Sequence, residues 1–161
     1  MISKENIEVT KIITEKLSHD NINWALIGSS NLALQGVDVR AHDIDILTDK
    51  EGALRIGKLL KEFTKEEVGY KESEKFRSYF GKFIINGIDV EIMGDLLVVN
   101  PSGDIWDETT NFLDKKIYFQ IDDTEIPIIS LDQEYKAYSR QGKEKKAQKI
   151  AERITFQATN S

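Results

Sequence analysis

Apolar positions recur along the chain with two periods. Over residues 4–18 they fall at Val9, Ile12, Ile13 and Leu17, one face of a 3.6-residue repeat, which predicts an amphipathic helix. Residues 23–27 are a short apolar run of strand length that leads into Gly28-Ser29-Ser30. Residues 30–35 are rich in helix formers, and Gly36 is placed to end that helix. From residue 42 to 47 polar and apolar side chains alternate, the period of a strand with two unlike faces. Thr48 with Glu51 makes a capping box, predicting a helix from there through Phe63. Residues 76–85 and 88–93 are strand-like and meet at Asn86-Gly87, a strong hairpin signal. Residues 100–104 read as a loop, and 116–121 as a strand that turns through Asp122-Asp123-Thr124 toward another apolar run. Ser130 with Gln133 forms a second capping box, for a helix to Gln141 that Gly142 stops. A last helix spans 143–156.

Helix, strand, short helix, strand, helix, hairpin, strand and helices in that order predict an α+β fold. Its small mixed sheet would carry helices mainly on one face, with a C-terminal helical segment. We read residues 1–161 as one domain, with a core over about 20–130 and helices over about 131–157.

Composition narrows the chemistry. The chain has no cysteine and only His19 and His42, which excludes thiolate and histidine-rich metal sites. Any bound metal must be hard and oxygen-ligated. The N-terminal stretch lacks the pattern of a signal peptide, and no apolar run approaches a membrane span, so a cytoplasmic location is expected. Net charge is −6, unevenly spread: residues 134–153 hold seven Lys or Arg against three Glu. That local excess of four leaves about −10 on the rest of the chain, which argues against nucleic acid as a non-specific partner. The basic C-terminal helix could still meet a phosphate.

Asp43 and Asp45 stand in an apolar run, one residue apart. Strand geometry turns both to one face, with Ile44 and Ile46 directed to the core. Like charges so close raise each other's pKa or need a cation between them. Asp89 and Glu91 also share a face on the later strand. If that strand lies beside the first, three carboxylates make a site for two divalent ions. Gly28 and Ser29, at a strand end that opens a helix, provide backbone N–H groups for a phosphate, and Ser30 is placed to cap. A calcium EF-hand loop is excluded, because its sixth and twelfth positions would be Thr48 and Leu54.

Together, Ile27-Gly28-Ser29, the Asp43-Ile44-Asp45-Ile46 run and the later Val90-Glu91-Ile92-Met93 resemble the nucleotidyltransferase-fold superfamily of DNA polymerase β type. The chain is similar in length and layout to its small stand-alone prokaryotic members, among them lincosamide nucleotidyltransferases and antitoxin-type minimal enzymes. The resemblance implies Mg²⁺ (or Mn²⁺) on Asp43 and Asp45, with Glu91, or Asp89, as third acid and base. It also implies an NTP whose phosphates lie on Gly28, Ser29 and the adjoining Ser30. Of the basic C-terminal residues, Lys136, Arg140 and Lys143 fall at helical spacing and could offset triphosphate charge. The expected reaction moves an NMP from the NTP to a hydroxyl of a small molecule or protein and releases pyrophosphate. The rival reading is a non-catalytic, antitoxin-like module acting through a protein partner; a homodimer completing an open site is a further expectation.

Overall fold

The computed structural model describes residues 1–160. Its first half runs α1 (Lys4–Leu17), β1 (Trp24–Ile27), α2 (Gly28–Leu34), β2 (Ile44–Thr48) and α3 (Lys50–Leu59), followed by a 3₁₀ turn at Lys61–Phe63. Three long strands follow: β3 (Thr64–Glu72), β4 (Phe76–Ile85) and β5 (Ile88–Val99). The chain ends with β6 (Trp106–Glu108), a 3₁₀ turn at Thr110–Lys115, β7 (Ile117–Ile121), β8 (Thr124–Ile128), α4 (Leu131–Arg140) and α5 (Glu144–Thr159).

The strands form one mixed sheet in the order β3-β4-β5-β2-β1-β8-β7, with β6 paired to β5. β2 runs parallel to β5 and β1 parallel to β8, while the other pairs are antiparallel. The expected α+β class, with its mixed sheet, is the observed one. Asn86 and Gly87 both have positive φ, 49° and 78°, the backbone of a tight hairpin turn whose twist matches its strands.

Several boundaries move for identifiable reasons. Thr48 does not cap α3; it is still paired with Trp24 in the sheet, and its hydroxyl donates to the Asn23 carbonyl. Asp49 caps instead, accepting the Gly52 N–H at 2.7 Å. α3 ends at Leu59, and only the 3₁₀ turn continues to Phe63. Ser30 caps nothing: α2 begins at Gly28, two residues earlier than its helix formers suggest. β3 is absent from the sequence reading because its nine residues are almost all exposed and carry no alternation. β5 extends six residues beyond the expected end at Met93.

Side chains of the central strands sort by parity onto two faces, except that β5 changes parity after Ile92, at an irregularity where Asp95 has a φ of 49°. Leu26, Ile44, Ile46, Val90, Ile92, Ile126 and Ile128 pack with Val9, Ile13 and Leu17 of α1 and with Ala53 and Ile56 of α3. Each fully buried Ile or Leu there contributes about 1.5–3 kcal/mol of transfer free energy. On the other face Ala25, Leu47, Leu96, Val98 and Ile129 meet Phe112 and Leu113 of the second 3₁₀ turn, with Ala137 of α4 alongside. A third cluster joins α2, α4 and α5 through Leu32, Leu131, Tyr138, Ala147 and Ile150. This second face is the less completely covered one, and the carboxylates point into it.

Candidate active site

The parallel pairing of β2 with β5 sets Asp45 directly beside Glu91, within a register that runs from Ile44–Val90 to Thr48–Gly94. Asp43 stands just ahead of β2 and is exposed, whereas Asp45 and Glu91 are half-buried. Burial, then the neighbouring Glu91 and Asp43, push the Asp45 carboxyl from an ordinary 3.8 up to about 7. On the far side of Glu91, β4 brings Lys82 opposite. Its ammonium lies 3.8 Å from Glu91 and 3.9 Å from Asp89, an ion pair that draws both acids toward β4.

Gly28 fits where no side chain could. Its φ is +73°, and a Cβ built on it would lie 2.6 Å from Asp45 Oδ2. Its N–H donates to Oε2 of Glu134 at 2.9 Å, and Asn31 Nδ2 donates to the same oxygen at 2.9 Å. Glu134, on α4, is therefore a buried carboxylate that fixes the turn between β1 and α2. Burial is the main cause that raises it to about 7. Ser30 is fully buried and faces away from the cleft: it accepts from Asn6 Nδ2 at 2.9 Å and donates to the Asp43 carbonyl. Its hydroxyl braces the loop that delivers Asp43, so the expected contact with phosphate is not available to it. Ser29 is turned the other way and accepts from Lys146 Nζ at 3.3 Å.

The basic residues divide similarly. Lys136 and Arg140 lie on the exposed side of α4, because Leu131, Glu134 and Tyr138 occupy its inner side. Neither lines the cleft. Lys143 does line it, with its ammonium held below its ordinary value by burial and then by Lys146. Lys143 and Lys146 lie 5.6 and 5.3 Å from the ring centre of Tyr138, itself buried beside Glu134. The cleft is a cavity of about 390 Å³ between the open face and α4, with Asp45, Glu91 and Gly28 in its wall.

The profile of the aminoglycoside-2″-adenylyltransferase family matches residues 9–154. The chain belongs to that family. A candidate nucleotidyltransferase from Thermotoga maritima is 38% identical, with a TM-score of 0.81 and 96% of each chain covered. A lincosamide antibiotic adenylyltransferase with lincomycin bound shares the fold at 18% identity and a TM-score of 0.58, covering 93% of this chain and 97% of that one. ANT(2″)-Ia in complex with adenylyl-2″-tobramycin does so at 10% identity and 0.55, covering 99% and 100%. Among curated proteins no match is found.

The protein is thus a nucleotidyltransferase. The oxygen donors of the acidic cleft suit Mg²⁺ or Mn²⁺, and crowding that raises Asp45 is the kind a divalent cation relieves. As placed, no three acid or imidazole side chains among the described residues converge on one point, since Lys82 holds Glu91 and Asp89 to its own side. Two residues escape sequence reasoning, Glu134 in the cleft wall and Lys146 beside it on Ser29. Glu134 had a signal, because it interrupts the apolar face formed by Leu131 and Tyr138 at helical spacing. Lys146 is adjacent to Ala147 and Ile150, the buried residues of α5, and that neighbourhood would have selected it.

Proposed function

We propose that the transferase moves the NMP of an NTP onto an acceptor hydroxyl, releasing pyrophosphate, with Mg²⁺ as the working ion and Mn²⁺ as a substitute. The observation that carries this reading is the in-register pair Asp45–Glu91 with Gly28 packed against the Asp45 carboxylate. It puts the turn that opens α2 beside the acids, although the Gly28 N–H expected to meet phosphate is already taken by Glu134. Asp43, Asp45 and Glu91 would hold the metal, with Asp89 next to them; when bound, it supplies neutralisation of phosphate charge.

The chain's own groups account for the rest. Ser29 and Lys146, linked by their hydrogen bond, stand where β- and γ-phosphates would meet the start of α2, and Lys143 adds a second cation at the rim. Glu134 keeps the Gly28 turn in its left-handed conformation by holding the N–H. Glu91 takes the proton of the acceptor hydroxyl as its oxygen bonds to the α-phosphorus, while the bond from that phosphorus to the bridging oxygen breaks and pyrophosphate leaves. Lys82 pairs with Glu91 at 3.8 Å and fixes the position of its carboxylate on the β4 side.

The test is a set of incubations with each NTP, Mg²⁺ and a panel of hydroxylated acceptors, read by pyrophosphate release and by a mass gain of one NMP on the acceptor. Transfer that survives Asp43→Asn with Asp45→Asn would remove this assignment of the site.

A further inference from the structure

The cavity differs in character along its length. Asp45, Glu91 and Gly28 mark one end. From Glu91 it continues along β5 past Met93 and Leu96 to Val98, with Phe80 of β4 and Phe112 of the second 3₁₀ turn also in its wall. Leu96, Val98 and Phe112 are at most 8% exposed, so this wall is made by packed side chains. A volume of about 390 Å³ is within the range that receives a small organic molecule.

Its charges are already engaged. Glu134 is committed to Gly28 and Asn31, and Glu72 at the rim accepts from the Tyr70 hydroxyl and faces Arg77 at 4.0 Å. Beyond these, the lining carboxylates are Asp45 and Glu91, the two the reaction uses. The remaining charged groups of the wall are cations, Lys71, which is paired with Glu66 at 3.1 Å, and Lys143. An acceptor with several ammonium groups would find only Glu72 at the rim, already shared with Tyr70 and Arg77, and no carboxylate along the apolar stretch beyond Glu91. The phosphate-directed pair Ser29 and Lys146 lies outside this wall, so a triphosphate placed on that pair does not itself fill the apolar stretch.

We infer that the apolar stretch beyond Glu91 seats the acceptor, and that the acceptor is a hydroxyl-bearing molecule with a mostly apolar body. A polycationic amino sugar does not fit it. This rests on the transfer reading above and specifies what that site acts on: the acceptor's oxygen gains the NMP, its proton goes to Glu91 and pyrophosphate departs.

The experiment titrates the full chain, with Mg²⁺, against 2-(2-naphthyl)ethanol and against tobramycin, each with and without a non-hydrolysable ATP analogue. The naphthyl alcohol is expected to bind with the analogue present, and about tenfold more tightly than tobramycin. Met93→Glu should reverse that order. Phe80→Ala, a milder change that keeps the fold, should weaken the naphthyl alcohol about tenfold and leave the order intact. Tobramycin binding as tightly as the naphthyl alcohol would overturn the inference. So would displacement of the naphthyl alcohol by the analogue, which would make the cavity the nucleoside's seat. Failure of the analogue to raise the melting temperature would instead overturn the transfer reading, whatever the naphthyl alcohol does.

Discussion

One sheet presents two faces made from the same strands, and they do different work. On β2 and β5, Ile44, Ile46, Val90 and Ile92 are fully buried under α1 and α3. The residues between them, Asp45, Leu47, Glu91 and Met93, line the cleft on the other side. The difference lies in the cover. Two amphipathic helices seal the first face, whereas the second 3₁₀ turn and α4 cover the second only in part. Stability concentrated on the sealed face lets the open one carry acids whose proximity is unfavourable, Asp45 above all. Single substitutions at neighbouring positions of β2 should therefore have opposite consequences.

Asp45→Asn should give the largest effect. We expect NMP transfer to fall about 10²–10³-fold, as when one preorganised electrostatic group is lost from an active site. The metal-free melting temperature should hold or rise, because the change removes a charge crowded by Glu91 and Asp43. Ile46→Ala, one residue on, should do the reverse. It should cost about 3 kcal/mol through lost burial and an unfilled cavity, and lower the melting temperature by about 6–12 °C. Transfer per folded molecule should persist. Steady-state kinetics and thermal melts on both variants decide the matter, and equal losses of stability would abolish the distinction between the faces.

How much of this could be read from residues alone followed from period and parity. Alternation at 43–46 placed Asp43 and Asp45 on one face and Ile44 and Ile46 on the other, and Asn86-Gly87 announced the β4–β5 hairpin; the coordinates agree for the two isoleucines, for Asp45 and for the hairpin, whereas Asp43 lies just ahead of the strand. Hydrophobic pattern reports burial, so it was silent on β3, whose side chains are mostly exposed and whose strand is defined by backbone pairing with β4. It also gave no rotational setting for the C-terminal helices. Lys136, Arg140 and Lys143 share a helical spacing in the sequence, but α4 ends at Arg140 and turns at Gly142. The face that reaches Ser29 thus belongs to α5 and carries Lys146. Ser30 failed for another reason: the same hydroxyl chemistry that suits a cap or a phosphate also suits an internal brace, and only packing decides.

That correction gives the next prediction, which sharpens the open face. Lys146→Ala should weaken NTP binding about tenfold, a loss of about 1.4 kcal/mol, since its ammonium sits on Ser29 beside the Gly28 turn. Lys136→Ala and Arg140→Ala should each change NTP affinity by less than about twofold, as expected for exposed charges screened by solvent. Calorimetric titration of the three variants at one ionic strength makes the comparison. A loss at Lys136 or Arg140 matching that at Lys146 would mean that the triphosphate lies on the outer side of α4.

The smallest expected effect is a difference in pH dependence, and its sign distinguishes the faces without any substrate. Asp45 and Glu134 are raised from ordinary values of 3.8 and 4.5 to about 7. Below about pH 3 both carboxyls are protonated whether the chain is folded or not, so neither affects stability. Between about pH 4 and 7 the unfolded chain has released these protons and the folded protein still holds them. The folded state then binds more protons, and stability must fall as pH rises, levelling off above about 7. In metal-free buffer Asp45→Asn should flatten that decline relative to the parent protein, and Ile46→Ala should shift the whole curve down without changing its slope. Mg²⁺ should stabilise the parent more at pH 8 than at pH 5, since the ion and the protons compete for the same oxygens. Melting temperatures across pH 4–9, with chelator and with Mg²⁺, measure both slopes. If the parent and Asp45→Asn decline in parallel, the acid cluster is not what sets the pH dependence of the open face.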